Sequence, residues 1–258
     1  MKTDAHAQLE PAVEIRPGVF RPDWSAVTKP RAREALAGRL AARAGLLDKW
    51  SHRLDANDDL VWRAILQFYG DHGQPPQIAD IAGEIGFEID HVETALRALD
   101  SNDLIGLDRD SGQIRLAYPF TEAVTAHRVD LNGHTLHALC AIDALGAADM
   151  YGADISISSP CRHCGSQIEV TTTADGRAPK SVAPAGAVVW YDFAYDGCAA
   201  GSCCPSIAFF CSDAHLQQWL DVQTPRRDGT GLTVDEALEV GRAIFGPVLT
   251  DPLSDTLR

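Results

Sequence analysis

The chain has 258 residues, of which 45% are hydrophobic and 22% are charged, so it can bury one large core or two smaller ones. Its apolar stretches all fall well short of the roughly 18 residues that a membrane span needs. Thirty-six acidic residues against 22 basic ones give a net charge of −14, which repels nucleic acids and anionic membranes. Composition therefore predicts a globular protein that binds neither nucleic acid nor membrane.

Residues 1–29 combine several prolines with polar residues and show no hydrophobic period. This pattern predicts a poorly ordered N-terminal extension. The same stretch lacks the apolar core of a secretory signal, so we expect a cytoplasmic location. The seven cysteines all lie between Cys140 and Cys211, and in a reducing compartment such clustering favours thiol chemistry or metal binding over disulfides.

Residues 30–122 show the pattern of a winged-helix-like helical domain. Its predicted elements are helices at 31–47, 60–69, 77–85 and about 90–99, followed by a β-hairpin around Asp110-Ser111-Gly112. Winged helices commonly bind DNA, but residues 77–105 hold seven acidic side chains against Arg97 alone. Because a recognition helix that faces phosphates needs the opposite charge, we expect this domain to support the second half of the chain instead.

Residues 123–258 change to short β-prone segments with a few helices between them; the segments are RVDLNG, DISIS, SQIEVTTTA, AVVWYDFAY and SIAFFCS. The pattern predicts a small mixed or antiparallel sheet domain with flanking helices, and hence an α+β fold for the whole chain. One helix is predicted over residues 134–150 and another after Ser212. A third is predicted after Thr233, where Thr233 and Glu236 form a capping box.

Cys140-Ala-Ile-Asp143 is the most informative local pattern. Residues three apart on a helix share a face, so the thiol and the carboxyl would project into the same space. Such a pair can bind a soft metal and move a proton. The pattern also fits a buried cysteine that packs as a small hydrophobe beside an exposed aspartate.

A second group of thiols, Cys198, Cys203 and Cys204, lies in a Gly- and Ala-rich loop before an apolar strand. Exposed thiols oxidise readily, so three of them on one loop indicate a function.

Cys161 and Cys164 form a CxxCG knuckle, a motif that supplies half of many structural zinc sites. A tetrahedral site needs two more ligands, and the sequence contains no second CxxC. The candidates to complete it are Cys198, Cys203, His163 and Cys211, which leaves zinc at this knuckle open.

Three segments together resemble the alkylmercury (organomercurial) lyase family: LCAIDAL around Cys140, CC-P-x-I-x-F-F, and ISISSPC ending at Cys161. The resemblance extends from about Ile78 to about Phe245. It implies a catalytic domain over residues 123–258, preceded by a winged-helix-like region that does not bind DNA in that family.

The resemblance further implies that two cysteines and an aspartate cleave a carbon–mercury bond. The helix cysteine corresponds to Cys140 and the aspartate to Asp143. For the second cysteine, counting back from Phe209-Phe210 without a gap selects Cys204, whereas aligning the doublet itself selects Cys203. We prefer Cys204, because the ungapped count needs no insertion.

The family's additional structural cysteine, which follows a Ser-Ser pair, corresponds to Cys161. The chain departs from the family pattern in its long N-terminal extension and in the extra Cys164, Cys198 and Cys211. These thiols keep a second interpretation open, a catalytically weak relative that binds or sequesters soft metals. A third is a winged-helix transcription regulator with a cysteine metal sensor, against which the acidic helices argue.

The chemistry of the residues fits the interpretation as an organomercurial lyase. Mercury is very soft, so the thiolates of Cys140 and Cys204 would outcompete carboxylates, imidazoles and water for it. Asp143 would take a thiol proton and return it to the leaving carbon. We expect a small organomercurial substrate, no required cofactor, and Hg(II) as a bound product that passes to low-molecular-weight thiols or a mercuric-ion reductase.

Overall fold

The computed structural model describes residues 10–42, 46–51 and 54–250. These stretches form an α+β fold in which every pair of described strands is antiparallel. In chain order the elements are β1 (Val13–Arg16), β2 (Val19–Arg21), α1 (Pro30–Ala42), α2 (Leu46–Ser51), α3 (Ala56–His72), α4 (Ile78–Ile85), α5 (Ile89–Ser101), β3 (Ile105–Leu107), β4 (Ile114–Ala117), β5 (Phe120–Thr121), β6 (His127–Leu131), β7 (His134–Ala138), α6 (Ala141–Tyr151), β8 (Ser156–Pro160), β9 (Gln167–Thr173), β10 (Ala178–Ala183), β11 (Val188–Asp192), β12 (Ala208–Phe210), α7 (Asp213–Asp221), β13 (Gly229–Thr233) and α8 (Val234–Leu249).

The N-terminal segment is folded from residue 10 onward, so the predicted poorly ordered extension is wrong for the described residues; residues 1–9 lie outside them. β1 and β2 pair as a hairpin. The buried guanidinium of Arg16 donates to Asp59 Oδ1 at 2.6 Å and to the carbonyls of Pro247 and Val248. The hairpin is thus anchored by long-range polar contacts, which a search for local hydrophobic periodicity does not detect.

The predicted helices of the first half are present. α3, α4 and α5 cover the segments predicted at 60–69, 77–85 and 90–99, and β3 pairs with β4 as the predicted hairpin. The segment predicted as one helix at 31–47 contains α1 and the start of α2, with residues 43–45 outside the described stretches.

Eight strands form the large sheet, in the order β10-β9-β8-β6-β7-β5-β4-β3. Its strands alternate between buried and exposed residues; in β6, His127, Val129 and Leu131 are buried while the two residues between them are exposed. This alternation packs one face of the sheet against the core, where α6 contacts β6 and β7.

Residues 134–150 form a strand followed by a helix, so the single helix predicted there is wrong. β7 joins β6 through Asn132 and Gly133, both with positive φ, and α6 begins only after Cys140. The alanine-rich part downstream favours helix, but Asn-Gly is a strong hairpin signal and the alternating residues before Cys140 have the period of a strand.

α6 and α8 cross in close contact at two glycines. A Cβ added at Gly146 would lie 2.3 Å from Phe245 Cδ2 and 2.9 Å from the Gly241 carbonyl oxygen. α8 begins with the predicted capping box between Thr233 and Glu236. Because α6 is buried along almost its whole length, this contact fixes where its N-terminus lies.

The small sheet has the order β12-β11-β13. The sequence predicted β11 and β12 but not β13 or β10. α7 begins after Ser212 as predicted, and the Ser212 side chain caps it. Within the described stretches, none of the helices combines the length and apolar character that a membrane crossing requires.

Candidate active site

The N-terminus of α6 places a thiol and a carboxyl side by side. Cys140 is the N-cap residue, and its Sγ accepts a hydrogen bond from the Asp143 backbone N–H at 3.4 Å. Only 1% of Cys140 and 5% of Asp143 is exposed. The alternative of a buried cysteine beside an exposed aspartate is therefore wrong, because both side chains lie inside the protein.

A second thiol comes from the loop that precedes β12. Cys204 begins a short 3-10 turn, and its Sγ donates to Asp143 Oδ2 at 3.7 Å. The Ala141 N–H donates to the Ile207 carbonyl at 3.1 Å, which fastens this loop to the first turn of α6. One ligand atom from each of Cys140, Asp143 and Cys204 lies within 4.8 Å of the other two. We call these three residues the buried triad.

Cys203 lies beside the buried triad and also contacts groups outside it. Its Sγ lies 3.6 Å from the Ala199 carbonyl oxygen and 3.9 Å from Arg39 Nη2. The side chain is fully buried. Of the two registers left open by the sequence, the geometry brings Cys204 next to Cys140 and Asp143.

Burial controls the protonation of the triad. It raises the pKa of Asp143 to about 7 and that of Cys140 to about 11. The neighbouring thiols of Cys140 and Cys203, together with burial, raise the pKa of Cys204 well above its ordinary value. At neutral pH both triad thiols therefore hold their protons, and Asp143 is poised to accept one or to release one.

A cavity of about 30 Å³ reaches Asp143 and Cys204. Its walls include the Arg21 guanidinium, which stacks 4.1 Å from the Trp50 ring centroid and donates from Nε to the Ile244 carbonyl at 2.9 Å. Such a volume holds one or two water molecules. Sequence reasoning missed Arg21 because it lies in the segment predicted to be poorly ordered.

Asp103, at the turn after α5, holds the loop of residues 198–204, which we call the cysteine loop. Its carboxylate accepts hydrogen bonds from the hydroxyls of Tyr118 and Tyr195, each at 3.1 Å, and from the Ala199 N–H at 2.9 Å. The Tyr118 hydroxyl in turn accepts from the Ala200 N–H at 2.8 Å. The first half of the chain thus positions the loop that carries Cys204. The sequence marked Asp103 only as one of several acidic residues.

A second cluster of metal-ligating side chains contains Cys161, Cys164, Cys211 and His215. We call it the knuckle cluster. Of the four residues considered from the sequence to complete the CxxCG knuckle, the structure brings in Cys211. His215 was missed, although its i+4 spacing from Cys211 is a signal that the sequence contains.

Two neighbouring thiols and a carboxyl, gathered where the cysteine loop meets the buried N-terminus of α6, are a set of side chains suited to bind a soft metal. The model of the family described as MerB, alkylmercury lyase, matches residues 120–246, a range that contains the whole buried triad. An alkylmercury lyase of Staphylococcus epidermidis is 31% identical over 183 residues, which cover 70% of this chain and 80% of that protein. One of Bacillus cereus is 30% identical over 199 residues, 76% of this chain and 86% of the relative.

The chain belongs to the alkylmercury lyase family, which confirms the resemblance found in the sequence. The chain is also similar to the crystal structure of the mercury-bound form of MerB2. The matched region covers 86% of this chain and 100% of the MerB2 chain, with a TM-score of 0.66 and 24% sequence identity. At that identity the likeness shows that the two proteins share a fold.

Proposed function

We propose that this protein is an organomercurial lyase that cleaves the carbon–mercury bond by protonolysis at the buried triad. The observation that carries the proposal is the meeting of Cys140, Asp143 and Cys204 with their ligand atoms within 4.8 Å. Family membership supplies the substrate class, a small organomercurial.

In the first step one triad thiol binds R–Hg–X, where X is the exchangeable ligand on mercury. The thiol loses its proton as the S–Hg bond forms and X⁻ leaves. The Asp143 carboxylate is the nearest acceptor, since the Cys204 thiol already donates to its Oδ2 at 3.7 Å. A pKa of about 7 allows this carboxyl to take the proton and give it up again near neutral pH.

In the second step the other thiol binds mercury as well, and its proton passes through solvent to the X⁻ released in the first step. Electron donation from two sulfurs makes the bound carbon more basic. Protonated Asp143 then delivers its proton to that carbon, and the C–Hg electron pair becomes the new C–H bond. The balance is R–Hg–X plus two thiols giving R–H, a mercury dithiolate and HX. No redox change and no further reactant is needed.

The product Hg(II) stays on Cys140 and Cys204 until another thiol displaces it. We propose that low-molecular-weight thiols or a mercuric-ion reductase take up the ion, in a reducing compartment such as the cytoplasm that keeps the cysteines free. The cavity of about 30 Å³ that reaches Asp143 and Cys204, with Arg21 and Trp50 in its wall, is the route that we propose for substrate entry and product release.

The proposal gives the first half of the chain a supporting role. We interpret α3, α4, α5 and the β3–β4 hairpin as a winged-helix-like unit that holds the cysteine loop through Asp103. Binding to DNA is not part of this role, because the segment from Gln77 to Ile105 has seven acidic side chains and one basic one.

The test is to incubate purified, reduced protein with methylmercury and excess thiol and to measure methane in the headspace. The proposal predicts repeated turnover by the wild type and none by Cys140→Ser. Tight retention of methylmercury or Hg(II) without methane would favour the sequestering relative instead. A gel shift with DNA fragments would support the regulator, and we expect none.

A further inference from the structure

We propose that Cys161, Cys164, Cys211 and His215, the knuckle cluster, bind a structural zinc ion. The proposal is independent of carbon–mercury cleavage, because none of these side chains belongs to the buried triad. It extends the CxxCG knuckle recognised in the sequence by two ligands that only the fold brings near.

The spacing of the donor atoms matches a tetrahedral ion. Zinc bonds of about 2.3 Å to sulfur and about 2.0 Å to nitrogen separate two sulfurs by about 3.8 Å and a sulfur from a nitrogen by about 3.5 Å. The Sγ atoms of Cys164 and Cys211 lie 3.8 Å apart. His215 Nδ1 lies 3.8 Å from Cys161 Sγ and 2.9 Å from Cys211 Sγ. The remaining pairs of donor atoms lie within 4.8 Å of each other, so small side-chain adjustments would form the site.

The backbone of the knuckle already holds its two thiols in place. The Gly165 N–H donates to the Cys161 carbonyl at 2.8 Å, and the Cys161 N–H donates to the Ser166 carbonyl at 2.8 Å. Gly165 has a φ of 74°, a conformation that glycine adopts without strain. The turn therefore presents Cys161 and Cys164 to the same point without needing the metal to fold it.

The other two ligands come from the junction of β12 and α7. Cys211 directly follows β12, and His215 lies in the first turn of α7, where its N–H donates to the Ser212 side chain. The Arg162 N–H donates to the Phe209 carbonyl at 3.0 Å, which joins the knuckle to β12. Two independent local structures thus converge on one point, each contributing two ligands.

The donor set favours zinc over the alternatives. Three thiols and an imidazole form a closed four-coordinate set typical of structural zinc. A disulfide between Cys164 and Cys211 would need sulfurs about 2.05 Å apart rather than 3.8 Å. The knuckle cluster contains no carboxyl group that could protonate a carbon, unlike the buried triad. It is therefore suited to hold a metal and not to cleave an organomercurial.

The ion would tie the β8–β9 turn to the chain segment that follows Cys204. Only six residues separate Cys204 from Cys211, and β12 lies between them. Zinc at the knuckle cluster would therefore stabilise the strand on which the position of the triad thiol depends.

The test is metal analysis of protein expressed without added metals or mercury. We expect about one zinc per chain in the wild type, and below about a tenth in the double variant Cys164→Ser/His215→Ala. Both side chains are at least partly exposed, so these substitutions do not disturb the core. Cobalt exchanged into the wild type should show the intense visible bands of tetrahedral thiolate coordination, and a chelator should lower the melting temperature of the wild type but not of the double variant.

Three control variants test whether zinc binding is confined to the knuckle cluster. His163→Ala removes an imidazole whose ring centroid lies 5.0 Å from that of His215. Cys198→Ser removes an exposed thiol outside the knuckle cluster. Both variants should keep their zinc. Cys140→Ser should keep it as well. Wild-type zinc below about a tenth of an equivalent with no tetrahedral cobalt spectrum would overturn the proposal. So would zinc that survives in the double variant or is lost with Cys140.

Discussion

Asp143→Asn separates the binding of an organomercurial from its cleavage. The substitution keeps the shape of the side chain and removes the group that carries the proton. Both thiols remain, so the variant should still bind R–Hg through Cys140 and Cys204. Hydrocarbon release should fall about 10²- to 10⁴-fold, the usual contribution of a general acid.

The same substitution should change the pH dependence of stability. The pKa of about 7 in the folded protein, against 3.8 for an exposed aspartate, corresponds to about 4 kcal/mol at 1.36 kcal/mol per pKa unit. Because the folded pKa is raised, wild-type Asp143 lowers stability progressively as pH rises from about 4 to about 7. Asp143→Asn lacks this titration, so the variant should gain up to about 4 kcal/mol relative to wild type across that range.

Two assays check these expectations. Intact-protein mass spectrometry of Asp143→Asn after incubation with methylmercury should show the methylmercury adduct, while headspace analysis shows little methane. Urea unfolding at pH 4, 5.5 and 7 measures the stability difference. Asp149→Asn, at the far end of the same helix, is the matched control and should cleave like wild type. Cleavage by Asp143→Asn at the wild-type rate would refute the proton-carrier role.

Three further substitutions test the arrangement around the triad. Cys204→Ser should abolish methane release while Cys203→Ser only reduces it, and the reverse result would show that the register of the doublet is wrong. Gly146→Ala should destabilise the fold by about 1–3 kcal/mol in urea unfolding, because its Cβ would lie 2.3 Å from Phe245 Cδ2; unchanged stability would contradict the close α6–α8 contact. Asp103→Asn should lower the melting temperature and the cleavage rate together, since it weakens charge-assisted hydrogen bonds worth about 1.5–3 kcal/mol each; an unchanged rate would remove Asp103 from loop positioning.

Local sequence patterns predicted most of the regular elements, because helix propensity, capping and strand alternation act over a few residues. The Thr233 capping box and the Ser212 cap start helices as expected. The predictions were wrong where contacts between residues distant in sequence determine the local structure. Residues 10–29 fold against α3 and α8 through Arg16 and other buried groups, and no local period signals such anchoring.

In the candidate site, too, the residues that are close in sequence could be predicted, and those brought in by tertiary packing could not. Cys140 and Asp143 are close in sequence, so their pairing was predictable, and the resemblance to a family indicated Cys204. Arg21 and Asp103 reach the site from other elements. Tertiary packing brings these two residues close to the buried triad, and no local sequence motif indicates it.

A single turnover in D₂O tests the central claim most directly. Reduced protein equilibrated in D₂O is mixed with less than one equivalent of methylmercury, without added thiol. Cleavage by protonolysis at the buried triad predicts one singly deuterated methane per methylmercury, with Hg(II) retained on Cys140 and Cys204. Undeuterated methane, or methylmercury that stays intact on the wild-type protein, would contradict it.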